Sequence, residues 1–339
     1  MTACKENMPA AAHSCAPACA CHAQQDDGHG QRPERARQVY VYSPSGAVRD
    51  RAALRRGVRR LEKAGFAVTL DEGALLRDSR FAGTHAQRLD ALHRAARSGA
   101  DVALISRGGY GLNHLLPHMD YALLARAIAQ GTQFMGFSDF TALQLALLAH
   151  TGAISWAGAS LCVDFGTAEP PDEITQACFE DVAHGIAEGA GWRIGKECAA
   201  AYQGLHIEQA RLWGGNLAVL ASLIGTPHLP AIEGGILFLE DVGEAPYRVE
   251  RMLVQLEQAG ILARQQALLL GHFTEAPPAP RERGYHLGSI VAALRERTGL
   301  PVLTGLPFGH VRTKVCLPVG AKVQLQVSAR EAMLVWGHF

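Results

Sequence analysis

Three short segments hold residues able to act on one bond. In Met135-Gly136-Phe137-Ser138-Asp139-Phe140-Thr141 a serine sits between an apolar run and the uncharged stretch 142–149. Strand, sharp turn and helix follow in the order of a nucleophile elbow, without the second glycine of G-x-S-x-G. A hydroxyl at that tip is exposed, and the amides opening the helix favour negative charge developing beside it. The same serine could instead cap the helix. In Ser106-Arg107-Gly108-Gly109-Tyr110-Gly111 the glycines let backbone amides approach a ligand oxygen, to cradle a phosphate or form half of an oxyanion hole. The loop has no P-loop lysine and does not fit G-x-G-x-x-G, so a plain tight turn is the other reading. Arg107 could hold a carboxylate by paired hydrogen bonds or make a surface ion pair.

The third segment has two parts, Gly235-Ile236-Leu237-Phe238-Leu239-Glu240-Asp241 and Leu306-Pro307-Phe308-Gly309-His310. An acid ending one apolar strand and a histidine ending another complete a set in which the acid orients an imidazole and the imidazole deprotonates a serine. The chain order Ser138, Glu240, His310 is the order of nucleophile, acid and base in α/β hydrolases. Singly, each residue has a plainer use: Glu240 or Asp241 could cap the next helix, and His310 is one of 15 histidines.

Such residues work only if regular elements bring them to one edge. Strands are predicted at 39–42, 66–70, 101–105 and 134–137, alternating with amphipathic helices at 50–64 and 86–98, which calls for a parallel sheet with crossover helices. A second set of helices at 217–224, 247–259 and 289–298 alternates with strands at 235–239, 267–270 and 302–306. Segments 323–327 and 332–336 read as a closing hairpin. The fold class is therefore α/β: an N-terminal parallel-sheet, flavodoxin-like domain over 39–163 and a second α/β domain with C-terminal β-strands over 206–339. Between them, 164–205 reads as a linker with its own helix. The three segments all lie just beyond strands, where open α/β sheets bind ligands.

Composition narrows the function. Of 339 residues, 48% are hydrophobic and 19% charged, which excludes a disordered chain. Lys+Arg and Asp+Glu are both 32, so no global field draws nucleic acid or an anionic membrane, and a small local substrate is expected. The uncharged stretch 140–163 is interrupted by Gln144, His150, Ser155 and two glycines and reads as two buried elements rather than a membrane helix. Residues 1–38 are rich in Ala, Pro, His and Cys and are expected to be a disordered extension. Cys15, Cys19, Cys21 and His22 do not have a paired zinc-site spacing, so no metal is expected. The start lacks a secretory core, and a cytoplasmic protein with unpaired thiols is expected.

Arg107-Gly108-Gly109-Tyr110-Gly111, Gly136-Phe137-Ser138-Asp139-Phe140-Thr141, Gly214-Gly215-Asn216-Leu217, Phe238-Leu239-Glu240-Asp241, and Gly309-His310 with Leu317-Pro318-Val319-Gly320 downstream stand in this order. In them the chain resembles the LD-carboxypeptidase family of serine peptidases, which includes microcin C immunity proteins. The resemblance spans about 39–330. It implies a cofactor-free, cytoplasmic, often dimeric enzyme that removes the terminal D-alanine from murein tetrapeptides in cell-wall recycling. Ser138 would be the nucleophile, His310 the general base and acid, and Glu240 its orienting acid. The amides of Gly109 and Asp139 would form the oxyanion hole. Arg107, Gly108 and Tyr110 would touch substrate, and Gly214, Gly215 and Asn216 would line the cleft. Two alternatives use the same residues: an immunity-type hydrolase of acyl-nucleotides, and a non-catalytic anion-binding module on the Gly108-Gly109 loop.

Overall fold

The first half of the chain builds a sheet whose central strands are buried on both faces. In the computed structural model, which describes residues 35–276 and 285–337, the order is β1 (Gln38–Tyr42), α1 (Arg51–Lys63), β2 (Ala67–Leu70), α2 (His85–Arg97), β3 (Val102–Ile105), α3 (Tyr121–Ala129), β4 (Gln133–Gly136), α4 (Thr141–Thr151) and β5 (Ser155–Ala157). Asp50 caps α1 by accepting from the Ala52 amide, and Thr84 with Gln87 forms a capping box on α2. Strands β1 to β5 pair in parallel in the spatial order 2-1-3-4-5, the flavodoxin-like arrangement. Buried Val102 to Ile105 form a continuous apolar strand, as a sheet covered on both faces requires. Helix α4 is buried from Thr141 to Leu148 and packs against α3 on one side and the second half of the chain on the other. That burial explains its lack of a polar face.

The second half continues with α5 (Glu173–His184), β6 (Gly189–Arg193), α6 (Lys196–Tyr202), β7 (His206–Asn216), α7 (Leu217–Ser222), β8 (Gly235–Val242), α8 (Pro246–Gln258), β9 (Gln265–Thr274), α9 (Leu287–Thr298), β10 (Val302–Thr304), β11 (Leu317–Val319), β12 (Lys322–Ser328) and β13 (Glu331–Val335). Among the described residues, seven strands form a sheet ordered β10-β9-β8-β7-β12-β13-β6, parallel from β10 to β7 and antiparallel beyond.

Two expectations need correction. Segment 164–205 holds two helices and the edge strand β6, which pairs with β13. Gly189-Ala190-Gly191-Trp192-Arg193 has almost no strand composition, and its pairing is imposed by the neighbouring hairpin. In addition, β11 leaves the second half and pairs antiparallel with β5 at the edge of the first sheet, where Pro318 is tolerated. Residues 305–316, which carry His310, thus run from one sheet to the other. The Cys15, Cys19, Cys21 and His22 group lies outside the described residues.

The β7–β8 seam leaves no room for a side chain. Gly214 has φ +136°, and a Cβ there would stand 1.9 Å from the Phe238 carbonyl oxygen. Gly214→Ala is expected to destabilise by about 3 kcal/mol or more, from backbone strain plus overpacking. A thermal melt should fall by roughly 4–5 °C or more; an unchanged melt would mean that the seam can open without loss.

Candidate active site

The Gly136 to Thr141 turn forces Ser138 out of the sheet. Phe137 is still extended, Ser138 takes φ +65°, and a 3-10 turn over Ser138–Phe140 leads into α4. Positive φ is uncommon outside glycine and costs of order 1–3 kcal/mol. A side chain at Gly136 would clash with Ile105 and Phe140 at 2.7–2.8 Å, so the turn requires glycine there. The hydroxyl of Ser138 lies against the second loop: a Cβ on Gly108 would be 2.8 Å from Ser138 Cβ and 3.0 Å from its Oγ. Gly109 and Gly111 have φ +123° and +136°.

Asp139 joins the two loops. Its buried carboxylate accepts from the Leu112 amide at 3.0 Å, and burial pushes its pKa up against the hydrogen bonds and the Arg88 charge that lower it. Arg88, fully buried, donates to the carbonyls of Gly111 at 2.9 Å and Pro44 at 3.0 Å. Arg107 Nη1 donates to the Ala47 carbonyl at 3.2 Å, so its guanidinium braces this loop. Burial, then the charges of Arg49 and Arg80, lower its pKa. Tyr110 is 42% exposed, with its hydroxyl 3.3 Å from His114 Nε2 and Arg80 over its ring.

Glu240 and His310 meet. His310 Nδ1 is 2.8 Å from Glu240 Oε2, and Glu240 is completely buried. Gly309, at φ +129°, allows this approach, since a Cβ there would be 3.2 Å from the same carboxylate oxygen. With Nδ1 engaged, Nε2 is the ring nitrogen left to exchange a proton. The His310 ring centroid lies 5.0 Å from that of Phe137, the residue preceding Ser138. Beside His310 opens a cavity of about 370 Å³ lined by Val163, Thr167, Pro170, Glu275, Val311 and Arg312, among others.

Gly214, Gly215 and Asn216 are buried rather than lining an open cleft. Gly215 meets α4, where a Cβ would come within 2.4 Å of Thr141 Oγ1, and the Asn216 amide donates to that same hydroxyl at 3.0 Å. Asn216 Nδ2 donates to Glu240 Oε1 at 3.1 Å and Asp241 Oδ1 at 3.0 Å, while its Oδ1 accepts from Val219 at the start of α7. Asp241 also accepts from the amides of Ala218 at 2.9 Å and Val242 at 2.8 Å. Burial pushes Asp241 up to about 6. The fold thus favours its protonated form, and stability from this group falls as pH rises from the ordinary carboxylate value through about 6.

A histidine oriented by a buried acid, its ring against the residue that precedes a strained serine, with a glycine loop against that serine, is suited to acyl transfer. Comparison with known proteins agrees. Residues 39–158 match the LD-carboxypeptidase N-terminal domain and residues 209–325 the LD-carboxypeptidase C-terminal domain. The chain belongs to the LD-carboxypeptidase family. It is a serine peptidase. The murein tetrapeptide carboxypeptidase of Pseudomonas aeruginosa is 32% identical over 85% of this chain and 93% of its own length. The microcin C7 self-immunity protein of Escherichia coli is 27% identical, covering 80% and 84%. The crystal structure of muramoyltetrapeptide carboxypeptidase from Oxalobacter formigenes superposes with a TM-score of 0.79 at 37% identity, covering 89% of this chain and 99% of that one. Among the described residues no helix of this LD-carboxypeptidase family member is long and apolar enough to cross a membrane.

Proposed function

We propose that the enzyme releases the terminal D-alanine of a murein tetrapeptide, cutting an amide with an L-centre on its acyl side, as a cytoplasmic homodimer in cell-wall recycling. Ser138 Oγ attacks the carbonyl carbon, and His310 Nε2 takes the serine proton. The tetrahedral oxyanion is held by the amides of Gly109 and Asp139. His310 then gives the proton to the departing D-alanine amine, and water, deprotonated by the same imidazole, releases the acyl-enzyme. Glu240 keeps the ring in the tautomer with Nδ1 protonated and offsets the charge of the imidazolium. The observation that carries this reading is the 2.8 Å contact of His310 with buried Glu240 next to the Phe137-Ser138 turn.

The leaving group bears a free carboxylate, and half-buried Arg107, directly before the Gly108 that lies against Ser138, supports an anchor for it. A site with donors aimed at a carboxylate rejects a capped substrate, because those donors are left unpaired. Tetrapeptide is therefore expected to give tripeptide and D-alanine, with the C-terminal amide of the same tetrapeptide slower by about 10²-fold or more. Mass spectrometry of timed digests checks this. Equal rates for acid and amide would overturn carboxylate recognition and turn the reading toward an acyl-nucleotide hydrolase with the same three residues.

A further inference from the structure

Lys314 and Asp164 form an ion pair whose side chains are only 1% and 3% exposed, and no step of the proposed reaction uses either. Two charges removed from water are a poor source of stability, since apolar replacements of similar volume are often neutral or better. The pair does, however, lie at a junction. Asp164 Oδ2 accepts from the Ser160 amide at 2.7 Å, fixing it to the segment after β5. The Lys314 amide donates to Thr175 Oγ1 at 2.9 Å, which fixes the end of the His310 segment to α5. The Lys314 ammonium sits 4.6 Å from the centroid of the Phe137 ring, and that ring is the one against the His310 imidazole.

The imidazole rides on residues 305–316, which have no regular hydrogen-bonded structure. Its ring is set by Glu240 at Nδ1 and by Phe137 on one side. Glu240 fixes a single point, about which the ring can still tilt and swing Nε2 away from the serine. Contact with Phe137 limits that tilt only while Phe137 itself is held, and the ammonium attracts the face of that ring.

We propose that the buried Lys314–Asp164 pair is a positioning device that aligns His310 with Ser138 by clamping the Phe137 ring and the end of the His310 segment together. This inference rests on the roles of Ser138 and His310 given above. It assigns Lys314 no contact with substrate.

The test uses a fluorophosphonate probe, whose reaction with a serine depends on the serine–histidine alignment and not on the peptide. Wild-type enzyme labelled at Ser138, located by mass spectrometry, establishes the serine reading; no labelling there sinks that reading independently of the pair. Lys314→Met should label at least about tenfold more slowly, as small misalignments of a base cost up to 10², and should melt lower because Asp164 is left buried and unpaired. The double variant Lys314→Met with Asp164→Leu removes that penalty. It is expected to recover much of the melting temperature yet remain at least about tenfold slow, measured on the folded fraction from gel filtration. With murein tetrapeptide its kcat should fall by a similar factor while KM stays within about twofold, as expected for a loss felt only in the transition state. A folded double variant that labels at the wild-type rate, or one in which KM alone changes, would overturn the proposal.

Discussion

Ser138→Ala is expected to lower turnover by about 10⁴-fold or more, because the attacking atom is gone and the rest of the site cannot form the acyl-enzyme. Stability should change little: Ser138 is half-buried, no hydrogen bond fixes the turn through its hydroxyl, and alanine keeps the same strained φ of +65°. Ser138→Gly separates the two effects. Glycine adopts positive φ without the Cβ penalty, so this variant should be equally inactive yet more stable by about 1 kcal/mol. Release of D-alanine and thermal melts on the three proteins measure both quantities. More than about 1% residual turnover in Ser138→Ala would remove Ser138 from the nucleophile's role, since loss of the attacking group leaves far less in serine hydrolases. Equal melts for Ala and Gly would show that the turn is not strained as the backbone angle implies.

The candidate residues were legible in the sequence because glycines stand close to them in the loops that follow strands. Ser138 follows Gly136, His310 follows Gly309, and Gly108 with Gly109 follows β3. At each place the glycine marks a backbone approach that a Cβ would block. What the sequence concealed depends on partners far along the chain. The strand character of β7 is hidden by Glu208-Gln209-Ala210, where Gln209 takes φ +55° and the pairing with β12 slips, breaking the alternation that would announce a strand. Leu317-Pro318-Val319 is short and contains proline, so only its pairing with β5 makes it a strand. Helix α3 has an apolar sequence with no charged face apart from Arg126, and its period gave nothing to count.

Asn216 shows the same limit within the site. The family resemblance implies that it lines the cleft, yet its side chain is spent on two buried carboxylates and the first turn of α7. Nothing local announces that use, since Glu240 and Asp241 come from the adjacent strand β8. Lys314 and Asp164 are still more remote, 150 residues apart in sequence.

Glu240→Ala should reduce kcat by about 10³-fold or more, since members of such a set act as a unit. Its carboxylate makes two contacts, to His310 Nδ1 and Asn216 Nδ2; Asn216 keeps Asp241 as a second acceptor, so the loss falls on the histidine. Glu240→Gln is the sharper variant: it keeps the volume, but its amide can donate to Nδ1 and hold the imidazole in the wrong tautomer, so a loss of similar size is expected. Asp241→Ala should behave differently. Asp241 serves Ala218, Val242 and Asn216, so its loss strands buried donors and should cost about 2 kcal/mol of stability. Turnover on its folded fraction should fall far less than in Glu240→Ala. The pairing of β8 with β9 slips between Leu239 and Asp241, so both carboxylates turn toward Asn216, and it is Glu240 Oε2 that reaches His310 Nδ1. Measuring kcat beside the melting temperature for all three variants tests the pairing. If Asp241→Ala lost turnover by about 10³-fold while Glu240→Ala retained it, the acid of the proposed set would be Asp241, and the 2.8 Å contact would not describe the working enzyme.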